Sequence, residues 1–338
     1  MSRKKAVLIG INYTGSDHQL NGCVNDAKNI ENFLREEHGF TDSRDIVILT
    51  DEPENEGTPF YPTGANMLAA FKWLVSCNSP GDSLWLSYSG HGSQVRDTDG
   101  DRESGYGFLR TSIEINERAN RARDRSLDDT ICPVDFEQNG QITSGTLHKA
   151  IVSPLNPKCR LTILFDCCHS GSAVELPYIY RPDTDGNVSM VNNVKEGVSI
   201  LREVGDLLHG GFSIEKISNV EDILHRGHSL FNRLKNPEAP SDDSGLADEN
   251  FAEDWAHEGK DVWMFSGCSD EQTSADTSMQ GLATGAMSWA FLAFMRKSQQ
   301  PSYIEVLQQT RQLLQSKFSQ IPQLSVGGKY DINQPVYL

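Results

Sequence analysis

The sequence predicts an α/β fold: a mainly parallel sheet covered on both faces by helices, α/β/α in three layers. Two observations predict it. Short runs that are apolar almost throughout, such as KKAVLIGI (4–11) and CRLTILFD (159–166), suit strands buried on both faces. Between them lie stretches whose apolar residues recur at helical spacing. Strand runs alternating with helices argue for crossover connections and parallel pairing.

The first strand, 4–11, leads into a helix over 21–37, where Val24, Ala27, Ile30, Phe33 and Leu34 share one face. DIVILT (45–50) reads as the second strand and 64–76 as a helix. SLWLSYS (83–89), CRLTILFD (159–166) and KDVWMFSG (260–267) read as the third, fourth and fifth strands. Helices are expected over 286–295 and 303–318. Two regions break the rhythm. FLRTSIEINERANRARDRSL (108–127) is charged and reads as an inserted loop or short helix. The stretch 188–259 has helical patches and then an acidic, turn-rich part, and reads as a linker within one domain spanning 1–338.

Composition bounds the function. A formal net charge of -17 argues against a nucleic-acid backbone as partner and suits cations or basic peptides. No apolar stretch reaches the roughly 18 residues that span a bilayer, and MSRKKAVLIGINY lacks a signal-peptide cleavage pattern. No membrane partner is expected. Seven cysteines without C-x-x-C pairs point to free thiols in a reducing compartment, hence to the cytoplasm, with the nucleus also open to the protein.

In open α/β sheets, sites form at the carboxyl ends of the strands. There the third strand delivers SYSGHGSQ with His91, the fourth FDCCHSGS with Cys167 and Cys168, and the fifth FSGCSDEQTSAD. A thiol is a strong nucleophile only as thiolate, which a neighbouring imidazole favours. His91, bracketed by Gly90 and Gly92, suits that role. Backbone N–H groups at Cys168 and Gly92 suit an oxyanion hole. Buried core thiols, or a zinc site from Cys167, Cys168, His91 and His169, are the alternatives. RDTDGDRESG and SLDDTICPVD are acidic clusters; the first has the D-x-D-G-D start of a calcium loop without the rest, and taken alone better fits a solvated turn.

SYSGHGSQ and LFDCCHSGS resemble the histidine and cysteine motifs of the type I metacaspases, caspase-like cysteine peptidases. AVLIGINY, LNGCVNDAKNI, DDTICPVDF, MFSGCSDEQTSAD, GAMSWAF and PQLS extend the resemblance, most closely to fungal members, over about 4–192 and 260–338. The sequence departs from many of them in having no extended N-terminal prodomain and in the 108–127 insertion. The resemblance implies a caspase-like fold, with 1–187 as the large-subunit-like segment and 260–338 as the small-subunit-like one. It implies Cys168 as nucleophile and His91 as its acid–base partner, with Cys167 a neighbour and His169 structural. It implies a pocket of Cys23, Asp26, Ser89 and Asp166, whose two carboxylates select Arg or Lys at P1. It also implies Ca²⁺ at Asp128, Asp129 and Glu175, with Asp101, ordering the loop beside the cysteine turn. Autocleavage in 188–235, at residues such as Lys195, Arg202, Lys216, Arg226 or Arg233, is expected, as is a monomer. Roles in cell death, stress or protein quality control follow from the same resemblance, and so does a rival reading as a non-proteolytic scaffold.

Overall fold

A computed structural model describes residues 2–96, 127–167, 173–182, 188–191, 259–267, 276–279, 282–315, 317–318 and 320–338. Its centre is an eight-stranded sheet in the order β2-β1-β3-β7-β10-β13-β8-β9. The strands are β1 (Lys4–Gly10), β2 (Ile46–Thr50), β3 (Ser83–Ser89), β7 (Arg160–Asp166), β8 (Tyr178–Pro182), β9 (Val188–Val191), β10 (Asp261–Ser266) and β13 (Gln323–Val326). β2, β1, β3, β7 and β10 pair in parallel. β13, β8 and β9 continue the sheet antiparallel.

Alternation along each strand splits the core in two. Val7, Ile9, Leu84, Leu86, Ile163 and Phe165 point to one face, where helix α2 (Gly64–Val75) packs with Met67, Phe71 and Leu74. Ala6, Leu8, Trp85, Leu164, Trp263 and Phe265 point to the other. There they meet α1 (Cys23–Glu37), α3 (Ala286–Met295) and α4 (Tyr303–Gln315). The parallel strands are apolar almost throughout because both faces are covered, as the sequence predicts.

The five parallel strands and four helices lie where periodicity puts them, within a few residues at the ends. The antiparallel strands are new. Val188–Val191 pairs with Tyr178–Pro182, so the sheet runs into the start of the expected linker. A second, three-stranded antiparallel sheet joins β4 (Gly92–Arg96), β5 (Leu127–Ile131) and β6 (Ile142–Thr143). β11 (Asp276–Met279) and β12 (Leu282–Gly285) form a hairpin that leads directly into α3. The insertion 108–126 and the remainder of the linker, 192–258, lie outside the described residues.

Candidate active site

Three of the parallel strands end side by side. Ser89 at the end of β3 pairs with Asp166 at the end of β7, and Phe165 pairs with Ser266 of β10. His91 follows Ser89 by two residues, and Cys168 follows Asp166 by two. The topology therefore brings the histidine and cysteine motifs to one edge from adjacent strands. Cys168, His169 and Gly171 themselves lie outside the described residues. Cys167, the last described residue before them, is fully buried, and no disulfide joins the described cysteines.

His91 is held on every side. Its backbone N–H donates to Tyr13 Oη at 3.0 Å. Its carbonyl accepts from Tyr88 Oη at 2.7 Å and from Cys132 N–H at 3.0 Å. Its ring nitrogen Nε2 lies 2.7 Å from the His18 carbonyl. The Tyr13 ring lies against the imidazole, centroids 4.7 Å apart. His18 in turn contacts Phe136 by its ring and sits 3.2 Å from Glu137 Oε1. Gly90 has a spatial reason: a Cβ there would meet Tyr88 Oη at 2.7 Å and Tyr13 Oη at 3.0 Å. Gly92 opens β4 opposite Ile131, so the peptide expected in the oxyanion hole sits at the sheet's edge of this turn.

The expected pocket residues Cys23, Asp26, Ser89 and Asp166 are all buried at this end of the sheet. Asp26 comes from the first turn of α1, beside Cys23. Both its carboxylate oxygens accept from Gly285 N–H, at 3.0 and 3.1 Å. Asp166 Oδ2 accepts from Ser288 N–H at 2.7 Å, in the first turn of α3. A Cβ on Gly285 would stand 2.2 Å from Asp166 Oδ2 and 2.9 Å from Asp26 Oδ2. The two carboxylates thus converge on one glycine, at the positive end of the α3 dipole. This glycine is required for closeness, not for a left-handed backbone.

The expected cation ligands are only partly in view. Asp129 on β5 is 5% exposed and accepts from Gln94 Nε2 at 2.9 Å. Glu175 accepts from Ser144 Oγ, and Ser144 opens a helical turn packed on β5 and β6. Asp129 and Glu175 therefore border the same small sheet, with the all-oxygen chemistry that a hard cation takes. Asp128 lies opposite Val95 in the strand register, and Asp101 lies outside the described residues. Among the described residues no three His, Cys, Asp or Glu side chains gather to hold an ion.

Sequence reasoning missed the residues that hold these groups. Tyr13 and Tyr88 sit inside the quoted motifs AVLIGINY and SYSGHGSQ, but only their distance from His91 in space assigns them a role. Asn12 Oδ1 accepts from the N–H groups of Gly22, Cys23 and Val24 and so starts α1. No side-chain rule links it to a helix eleven residues away in the manner of an ordinary N-cap.

The caspase-domain family profile matches residues 3–328. The chain is 38% identical to Metacaspase-1A of Neurospora crassa over 98% of its own length and 64% of that protein's. It is 39% identical to Metacaspase-1A of Aspergillus terreus and to Metacaspase-1 of Scheffersomyces stipitis, spanning 98% of this chain and 72% of each relative. The crystal structure of a Geobacter sulfurreducens protein matches with a TM-score of 0.53 at 18% identity, over 98% of this chain and 97% of that one.

Proposed function

The chain belongs to the metacaspases, within the caspase-domain family of cysteine peptidases, and we propose that it is a calcium-dependent endopeptidase cleaving after Arg or Lys. The observation that carries the reading is the pairing of Ser89 with Asp166, which sets the histidine and cysteine motifs on adjacent strand ends beside two buried carboxylates.

The Cys168 thiolate attacks the scissile carbonyl carbon, and the oxyanion takes hydrogen bonds from the backbone N–H groups of Gly92 and Cys168. His91 gives its proton to the leaving amine as the thioester forms. It then takes a proton from the water that hydrolyses the thioester, and Cys168 returns to thiolate. Asp26 and Asp166 supply the negative charge that a guanidinium or ammonium at P1 would meet in a water-poor site. Their convergence on Gly285 supports that assignment.

Asp128, Asp129 and Glu175, with Asp101, would hold Ca²⁺. When bound, the ion would offset the negative charge of these carboxylates. The support is the all-oxygen donor set, with Asp129 on the small sheet and Glu175 bonded to Ser144 beside it. Cleavage of the chain itself within 188–235, acting as a monomer, completes the reading.

The test is hydrolysis of fluorogenic peptides with Arg, Lys or Asp at P1, in calcium and in chelator, beside Cys168→Ala. Calcium-stimulated cleavage after Arg and Lys, absent in the variant, is the expected result. Cleavage that persists in Cys168→Ala, or none by either protein, would turn the reading to a non-proteolytic scaffold on this fold.

A further inference from the structure

We propose that Tyr13 and Tyr88 are positioning residues for His91: a buried pair of hydroxyls that clamps the histidine's own peptide from both sides and fixes the direction of its imidazole. The inference rests on the peptidase reading of the site.

One consistent set of hydrogen bonds joins these groups, with the Cys132 N–H shared between the His91 carbonyl and Tyr88 Oη. Each hydroxyl has one to give. Tyr13 gives its proton to the Cys132 carbonyl, 2.6 Å away, and accepts the His91 N–H. Tyr88 gives its proton to the His91 carbonyl at 2.7 Å and accepts the Cys132 N–H at 3.2 Å. The two oxygens stand 3.1 Å apart. Both ends of residue 91 are thereby tied to the turn after β5, through side chains anchored on β1's exit and on β3. A peptide pinned at N–H and C=O leaves the side chain few directions. The Tyr13 ring against the imidazole removes another.

The clamp is itself held. Tyr13 has a φ of 51°, which a non-glycine residue rarely adopts. The residues on either side of it, Asn12 and Thr14, donate their N–H groups to the two oxygens of Asp51, at 2.9 and 3.0 Å. That carboxylate is buried. Gly90 leaves the room in which the two hydroxyls meet. The arrangement is over-determined for a pair of tyrosines whose only work is to fill space. Burial raises both hydroxyls well above the ordinary phenol range, so each stays a neutral donor while the site works.

The experiment compares Tyr13→Phe, Tyr88→Phe and the double variant in the full chain, with Tyr337→Phe, an exposed residue outside the site, as control. Each keeps the ring and loses only the hydroxyl. Active sites are counted by titration with an irreversible arginyl ketone, and kcat is expressed per titrated site. The expected result is a fall in kcat per site of about tenfold for each single variant and up to about a hundredfold for the double, with KM within roughly twofold. The acid limb of the kcat/KM profile should also move toward the ordinary thiol value near 8.5, because a misplaced imidazole lowers the thiol pKa less. A merely structural role would lower the number of active sites and leave both kcat per site and the pH profile unchanged; that result overturns the proposal. Should the wild-type protein cleave nothing, the peptidase reading falls by itself. The ¹⁵N titration of the His91 ring, assigned with His91→Gln, then decides the clamp. A His91 titration curve that differs between wild type and Tyr13→Phe supports it, and identical curves overturn it.

Discussion

The two walls of the site are built by different means. In the histidine wall, His91 is held by uncharged partners from the first half of the chain: Tyr13, Tyr88 and the peptides of His18 and Cys132. The acidic wall is long-range: Asp26 and Asp166 are set by the N–H groups of Gly285 and Ser288, more than a hundred residues further along the chain. The contrast teaches which group tolerates displacement. A general acid–base must keep one direction to the nucleophile, and uncharged hydrogen bonds to its own backbone fix direction without altering its charge. A charge that reads a basic side chain needs only to be buried near it, and a helix N-terminus offsets part of the cost of that burial.

The acidic wall should break hardest at Gly285. Gly285→Ala places a methyl group against both carboxylates, one of them 2.2 Å away. The loss expected is about 3 kcal/mol of stability, read from urea unfolding midpoints, together with loss of cleavage after basic residues. Gly90→Ala tests the other wall in the same way, its methyl meeting Tyr88 Oη at 2.7 Å and Tyr88 Cζ at 2.9 Å.

Next in size is Asp51, which anchors the histidine wall from a distance. Asp51→Ala leaves the N–H groups of Asn12 and Thr14 without their carboxylate. A loss of about 2 kcal/mol is expected, with kcat falling more than KM changes. Equal wild-type and variant kcat would show that the loop carrying Tyr13 does not transmit position to His91.

The smallest effect concerns pH. His38 packs on Phe33 of α1, the helix that carries Asp26. Burial, and then the like charge of Lys4, holds its pKa at about 4 against an ordinary value of 6.5. The unfolded chain therefore takes up this proton before the folded one does. Stability is undiminished above 6.5 and declines as the pH falls from 6.5 toward 4. His38→Asn should flatten the slope of stability against pH in that window and leave it unchanged above.

How much of this was legible in the sequence follows the same division. The five parallel strands were readable because their runs are apolar on both faces, and the helices because Ile30, Phe33 and Leu34 or Met67, Phe71 and Leu74 recur with the helical period. β13 was not. Its QLSV is buried at every residue, yet two of its four side chains are polar. Gln323 is satisfied by Arg181 Nε at 2.6 Å and by Ser325, pairings that exist only once the sheet is formed. β9 was hidden in the same way, at the start of a stretch whose composition reads as linker. His91, Asp26 and Asp166 were legible as motif positions. Gly285 lies in the quoted GAMSWAF, but its meaning is the space it leaves for carboxylates more than a hundred residues away. Tyr13 and Tyr88 look like core aromatics until their hydroxyls are traced to the peptide of His91.

The central claim is that the acidic wall reads positive charge while the histidine wall positions the chemistry. The most direct measurement is the ratio of kcat/KM for paired peptides with arginine or citrulline at P1, which differ in charge at nearly the same shape. It is taken on the wild type, on Asp166→Asn and on Tyr13→Phe. The account predicts a ratio of at least about a hundredfold in the wild type. In Asp166→Asn it should fall to within about tenfold of unity. In Tyr13→Phe it should stay unchanged, although both rates drop. A ratio that survives Asp166→Asn, or collapses with Tyr13→Phe, would contradict it.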